Sequence, residues 1–208
     1  MTMTSHVRFT IVNIGTLSMN KFWGETERIR PTSATCTLLE AGDFRLLVDP
    51  SPAPELLEPM LFANAGLHPE DVDAVFLTHW HGDHHFGLSL FEDKAWFMST
   101  EGLAEWQEQR PADRERFERF NPAEDHLPKG ITLFPSPGHT LAHCSLHVDT
   151  QWGPLIVTGD ATMTPDFFDA EEGYHNSIDF GLAAETIRHI KATARLVIPG
   201  HGNLILNL

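Results

Sequence analysis

The sequence predicts a layered α/β protein, with sheets covered by helices. Three observations carry that prediction. Short β-rich apolar runs alternate along the chain with helix-favouring segments, the order that layered α/β architectures need. Hydrophobic residues make up 41% of the 208 residues and charged residues 21%, enough apolar material for a sizeable core. Several apolar runs end directly in Gly-His, Gly-Asp or His-rich turns, as strands do at the functional edge of α/β sheets. At about 150 residues per domain, the length favours one domain over 1–208.

The elements follow in order. Residues 7–14 (VRFTIVNI) alternate and are β-rich, and Gly15 ends the run. Residues 16–33 are polar and irregular and read as a long loop, with Phe22, Trp23, Arg28 and Arg30 embedded in it. Strands at 34–40 and 44–48 flank Ala41-Gly42-Asp43, a hairpin turn. Residues 52–65 read as a helix, with Pro near the start and Gly66 past the end. Residues 74–78 (AVFLT) form a short apolar run of the buried-strand type.

Residues 86–91 suggest a short helix and 95–98 a strand, while 100–120 favour helix with a break at Pro111. Strands are expected at 131–134, 143–148 and 154–158, and 161–177 hold no clear period. Ser177 is expected to cap a helix over 178–192, whose apolar face carries Ile178, Leu182, Ile187 and Ile190. Residues 196–198 and 204–206 close the chain as strands. No short-period repeat or low-complexity tract is visible.

Composition narrows the function. Fourteen Lys and Arg stand against 29 Asp and Glu, a formal charge of −15. Nucleic-acid binding is disfavoured, because phosphate contacts need clustered cations. The longest basic cluster, Arg110 to Arg119, is interleaved with acids and reads as a solvated surface. Two cysteines, Cys36 and Cys144, exclude a disulfide framework and a thiolate zinc site. Both lie in strand-like runs, where a buried, inert thiol is expected. No secretory signal or membrane-length apolar run is visible, so a cytoplasmic protein without a membrane partner is expected. Oligomeric state leaves no signature.

The informative residues are the histidines. Four of thirteen (His79, His81, His84 and His85) fall within seven residues, where even placement would put about 0.4. They follow the AVFL run. On an extended backbone His79 and His81 point to one side, a natural pair of metal ligands. Gly82 allows a sharp turn, after which Asp83 and His84 can face a second ion. A carboxylate beside imidazoles suits zinc first, and also iron or manganese. Two further runs end in Gly-His, at His139 and His201, and one ends in Gly-Asp, at Asp160. Alone, each of these is only a turn. Together they place metal-capable side chains at several strand ends.

The set HWHGDH (79–84), PGHT (137–140), GD (159–160) and PGHG (199–202) resembles the metallo-β-lactamase superfamily. The resemblance implies a four-layer αβ/βα sandwich. It implies that His79, His81 and His139 hold one divalent ion, that Asp83, His84 and His201 hold a second, and that Asp160 bridges both. Two ions sharing an oxygen bring the pKa of bound water towards 7, giving a hydroxide that attacks a carbonyl or phosphoryl centre. Asp83 is expected to orient that nucleophile as well as ligate, and Thr78 and Thr140 to fix histidine tautomers.

Departures from individual branches narrow the expectation. The flavodiiron branch places Glu where His81 stands, and lactamases of the HxHxDH pattern generally lack a residue matching Asp160. Glyoxalase II carries a C-terminal extension and the larger nucleases a cap domain, for which this sequence leaves no room. Quorum-quenching lactonases place Tyr three residues after the residue matching Asp160, where this chain has Met163. The C-terminal third also resembles minimal-size animal members, one of them linked to histone pre-messenger RNA processing. The expectation is therefore a small dinuclear hydrolase acting on an ester, thioester or lactone. A phosphodiesterase or ribonuclease, a mononuclear iron persulfide dioxygenase and a non-enzymatic metal-binding scaffold are the alternatives. The loops at 16–33 and 161–177 and the segment 100–120 are expected to rim the site, offering Phe22, Trp23, Arg28, Arg30, Phe167, Phe168, Tyr174 and His175.

Overall fold

The computed structural model describes residues 6–208. Strand β1 (Arg8–Asn13) pairs antiparallel with β2 (Cys36–Ala41), which returns through a tight turn as β3 (Phe44–Val48). Helix α1 (Pro54–Ala65) then crosses to β4 (Ala74–Phe76), parallel to β3, and β5 (Ala95–Met98) extends the parallel run. Helices α2 (Thr100–Gln109) and α3 (Arg114–Phe117) lead to β6 (Phe120–Pro122) at the edge of this six-stranded sheet.

The second sheet repeats the manner. Strands β7 (Ile131–Pro135), β8 (Cys144–Thr150) and β9 (Gly153–Gly159) form an antiparallel meander. Helices α4 (Pro165–Ala170) and α5 (Phe180–Thr193) follow, then β10 (Leu196–Pro199) parallel to β9 and β11 (Ile205–Leu206) at the edge.

Period-two alternation assigns each strand residue to one of two faces. Leu46, Val48, Ala74 and Phe76 of the first sheet meet Leu155, Val157, Leu196 and Ile198 of the second in a central core. The intervening Leu47 and Val75 turn outward onto Leu57 and Leu61 of α1 and Trp106 of α2. Ile156 and Val197 turn outward onto Ile187 and Ile190 of α5. Helix, sheet, sheet, helix: this is the four-layer αβ/βα sandwich expected above.

Three local expectations are corrected. The cap of α5 is Asp179, whose carboxylate accepts from Leu182 N at 2.9 Å, not Ser177. The helix therefore starts later, and Ile178 lies outside it, 52% exposed. The aperiodic stretch 161–177 contains α4, six residues opened by Pro165. The segment 100–120 ends in strand β6, whose Asn-Pro sequence carries no strand signal.

Strands β3, β4, β7, β9 and β10 all end at one edge of the sandwich, by their parallel or twice-reversed pairing. The sheets are tied together there. Thr35 N donates to Gly200 O at 2.7 Å, and Cys144 N donates to Thr78 O at 3.0 Å.

Candidate metal centre

Each expected donor stands just beyond one of those strand ends. The loop after β4 carries His79, His81, Asp83 and His84, with Gly82–His84 in a single 3-10 turn. Those after β7, β9 and β10 carry His139, Asp160 and His201. Except for His81 and Asp83, which are half-buried, all are buried.

The donors converge as two adjoining groups. His79, His81, His139 and Asp160 form one, and Asp83, His84 and His201 the other, with atoms inside each group within 4.8 Å of one another. His81 Nδ1 stands 2.9 Å from both His79 Nε2 and His139 Nε2. Ligand nitrogens about 2.0–2.1 Å from a tetrahedral zinc ion would stand roughly 3.3 Å apart. The donor set therefore fits a divalent cation. Asp160 faces both groups. Its Oδ2 is 3.2 Å from His139 Nε2 and 3.8 Å from His79 Nε2, while Oδ1 is 3.1 Å from His84 Nε2 and 3.2 Å from His201 Nε2.

Outer contacts fix three of the ring tautomers. His201 Nδ1 lies 2.9 Å from Ser33 O and 3.2 Å from Thr16 O, and a carbonyl can only accept. His84 Nδ1 likewise donates to Asp49 Oδ2 at 2.8 Å. Thr78 Oγ1 gives its one proton to Asp49 Oδ2, so at 3.1 Å it accepts from His79 Nδ1. All three rings thereby turn Nε2 inward, the nitrogen that would take a metal, with loss of its proton where Asp160 holds one there. Thr78 takes the outer position expected of it. Thr140 does not, since its hydroxyl is buried without a partner.

Asp49 is the residue sequence reasoning missed. It follows β3 in a left-handed conformation (φ 51°), is 1% exposed, and also accepts from Thr78 N at 2.9 Å. An aspartate closing the run FRLLVDP, like the Asp160 that closes PLIVTG, was the available signal.

Burial sets the charges. It pushes His79 well below its ordinary pKa and His139 down to about 4, keeping both neutral. Burial opposes a charge on His84 and His201 too, but the Asp160 carboxylate outweighs it and raises both. Asp160 is held well below the ordinary range: burial works against its charge, and His84, His201 and His139 overcome that.

The rim is only partly as expected. Phe167, Phe168 and Tyr174 are packed inward, whereas Phe22 and Trp23 are 42% and 59% exposed. Asp166 Oδ2 accepts from Asn20 Nδ2 at 3.0 Å and Trp23 Nε1 at 3.1 Å, tying the loop 16–33 to α4. Beside them lies a pocket of about 220 Å³ lined by Met19, Lys21, Phe167, Tyr174, His175 and Phe180. Arg28 and His175 are exposed, and Arg30 pairs with Glu25.

The chain belongs to the metallo-beta-lactamase superfamily, whose model matches residues 29–201. A Caenorhabditis elegans protein named beta-lactamase-like protein 2 homolog is 25% identical over 178 residues, 81% of this chain and 55% of that protein. The chain thus spans about half of that relative's length. A Thermotoga maritima protein described as a metallo-beta-lactamase shares the fold at a TM-score of 0.71 and 19% identity, over 97% of this chain and 100% of that one. AidC, a dizinc quorum-quenching lactonase solved with an acyl-homoserine product, does so at 0.68 and 15%, over 94% and 84%. Among the described residues, no helix is long and apolar enough to cross a membrane.

Proposed function

We propose that the protein is a dinuclear metal-dependent hydrolase acting on a small ester, thioester or lactone, with zinc the first choice of metal. The observation that carries this reading is Asp160, whose two oxygens each face a separate group of donors. In this reading His79, His81 and His139 hold one ion, Asp83, His84 and His201 the other, and Asp160 joins them. Two divalent ions bound there would supply a hydroxide at neutral pH and polarise a carbonyl.

The chain's own residues do the rest. Asp49, directly and through Thr78, holds His84 and His79 with Nε2 inward. Asp83 takes a hydrogen bond from Thr32 Oγ1 at 3.0 Å, which aims its carboxylate towards His201 Nε2, 3.6 Å away. Half-buried, Asp83 is the acidic group placed to orient a nucleophile beside the donors. Phe22, Trp23 and the 220 Å³ pocket between loop 16–33 and α4 suit a compact, partly apolar ligand.

The chain does not carry the lactonase tyrosine. Met163 stands in its place, 3% exposed, and Tyr174 gives its hydroxyl proton to Met19 O at 2.9 Å. A lactone is therefore one of three candidate substrates. The basic segment is solvated as expected: Arg114 pairs with Glu118 at 2.6 Å and Arg110 with Asp113 at 3.7 Å. The test is a panel of esters, thioesters and lactones run beside single-stranded RNA at low salt, on metal-replete protein. Turnover of a carbonyl substrate is expected. Cleavage of RNA alone would reverse the reading.

A further inference from the structure

Three of the inward-facing rings are braced from outside: His79 by Thr78, His84 by Asp49 and His201 by the Ser33 and Thr16 carbonyls. Of the four buried donor rings, His139 is the exception. Its outer nitrogen, Nδ1, is buried and has no partner. The aim of its Nε2 must therefore come from the loop that carries it.

That loop is held by a side chain from the opposite half of the sandwich. Glu105 of α2 is 9% exposed, and its carboxylate spans two successive amides of the loop. Leu141 N donates to Oε1 at 2.9 Å and Ala142 N to Oε2 at 3.2 Å. Other ties of the loop are Ile178 N to His139 O at 3.2 Å, Asp179 N to Gly138 O at 3.0 Å, Gly138 N to Thr140 O at 2.9 Å, Ser136 N to His143 O at 2.9 Å and Thr186 Oγ1 to Pro137 O at 2.6 Å, none of which reaches the Leu141 or Ala142 amides. Helix α2 is itself anchored by Trp106, fully buried, and the His85 ring stacks on that indole at 5.3 Å. One helix thus touches both donor loops, at His85 next to His84 and at Leu141, two residues after His139.

We propose that Glu105 is the positioning residue for His139: its carboxylate fixes the 139–142 loop so that the unbraced imidazole presents Nε2 to the first group of donors. It takes no part in ligation. The inference rests on the metal-centre reading above. Leu141 is 57% exposed, so a loop released from Glu105 can pass its amides to water with little damage to the core. A purely structural strut would give lower thermal stability without a preference between the two ions. A positioning role gives selective loss of one.

The variants are Glu105→Gln, which offers one acceptor oxygen for two amides, Glu105→Ala, and Glu105→Asp as the conservative rescue. Zinc affinity is read ion by ion in competition with a chromogenic chelator, and amide exchange across 136–142 is read in metal-free protein. Expected results are faster exchange at Leu141 and Ala142, and one ion weakened about 10- to 100-fold with the other within a few fold. Glu105→Asp should recover part of the loss. Undiminished affinity for both ions in Glu105→Ala, with wild type binding two, would overturn this inference alone. Equal weakening of both ions would also overturn it, in favour of a general strut. Wild-type protein that binds no zinc would overturn the metal reading, and this inference with it.

Discussion

Asp49 Oδ2 lies 2.8 Å from His84 Nδ1 and takes the hydroxyl proton of Thr78, whose oxygen in turn accepts from His79. One carboxylate, touching neither inward nitrogen, thus sets a histidine in each group of donors. Asp49→Asn should keep the left-handed backbone, which asparagine tolerates. Metal affinity should fall about 10- to 100-fold at both proposed ions. Asp49→Ala should also destabilise the metal-free fold, because the Thr78 amide and hydroxyl lose their acceptors at about 1–3 kcal/mol each. Chelator competition and thermal melts separate the two effects; full zinc affinity in Asp49→Asn would contradict the bracing role.

The proposed ligands should divide by variant. His79→Ala or His139→Ala should remove about one equivalent of metal, and His84→Ala or His201→Ala the other, when each group keeps too few donors. Asp160→Ala should lower both together. Elemental analysis of protein purified without chelator gives the counts, and full metal in all four histidine variants would refute the assignment.

Gly200 should be intolerant of a side chain. A Cβ there would overlap Asp160 Oδ1 and press on Gly159 C and O at 2.9 and 3.0 Å. Gly200→Ala should therefore displace Asp160, lowering metal content and costing about 1–3 kcal/mol in stability. Gly82 lies between two proposed ligands, yet a Cβ there meets only Phe86, at 3.8 Å, and its φ is not left-handed. Gly82→Ala should retain metal. The comparison is a metal count and a melt on each variant, and equal tolerance at both glycines would count against the close approach.

The two thiols should be silent in the native state. Burial pushes Cys144 up to about 12 and raises Cys36 as well. A raised thiol pKa leaves almost no thiolate at pH 8, and thiolate is the reactive form. Ellman's reagent at pH 8 should find no reactive group until denaturant is added, then two. A thiol titrating in folded protein would contradict this.

The sequence was most legible where chemistry demands several unusual residues at once. His79 to His84, His139, Asp160 and His201 stood out because imidazoles and carboxylates at strand ends have few other reasons to recur. The strands of the central core were equally plain, since Leu46 to Val48 and Leu155 to Val157 alternate between two apolar faces. Asp49 was hidden because one aspartate after a strand is ordinary, and only tertiary packing brings it to His84. Helix α4 was hidden because six residues do not complete two turns, too few to show a period. The cap of α5 was misplaced because Ser177 and Asp179 both suit an N-cap by type. Loop 173–179 decides between them, holding its Asp179 amide on Gly138 O.

The pairing order of the two sheets has a consequence for assembly. In each, the first three strands form an antiparallel meander, and a helical crossover sets the fourth parallel to the third. In each, the third strand runs into an aspartate, Asp49 or Asp160, and the fourth into histidine, His79 or His201. The chain is one plan written twice, and the donors line the seam between the copies. Neither copy holds a full set, so the seven side chains meet only once both halves have folded and docked. A cation held by donors from both halves would favour the docked form over the separated one, and so fasten the joint.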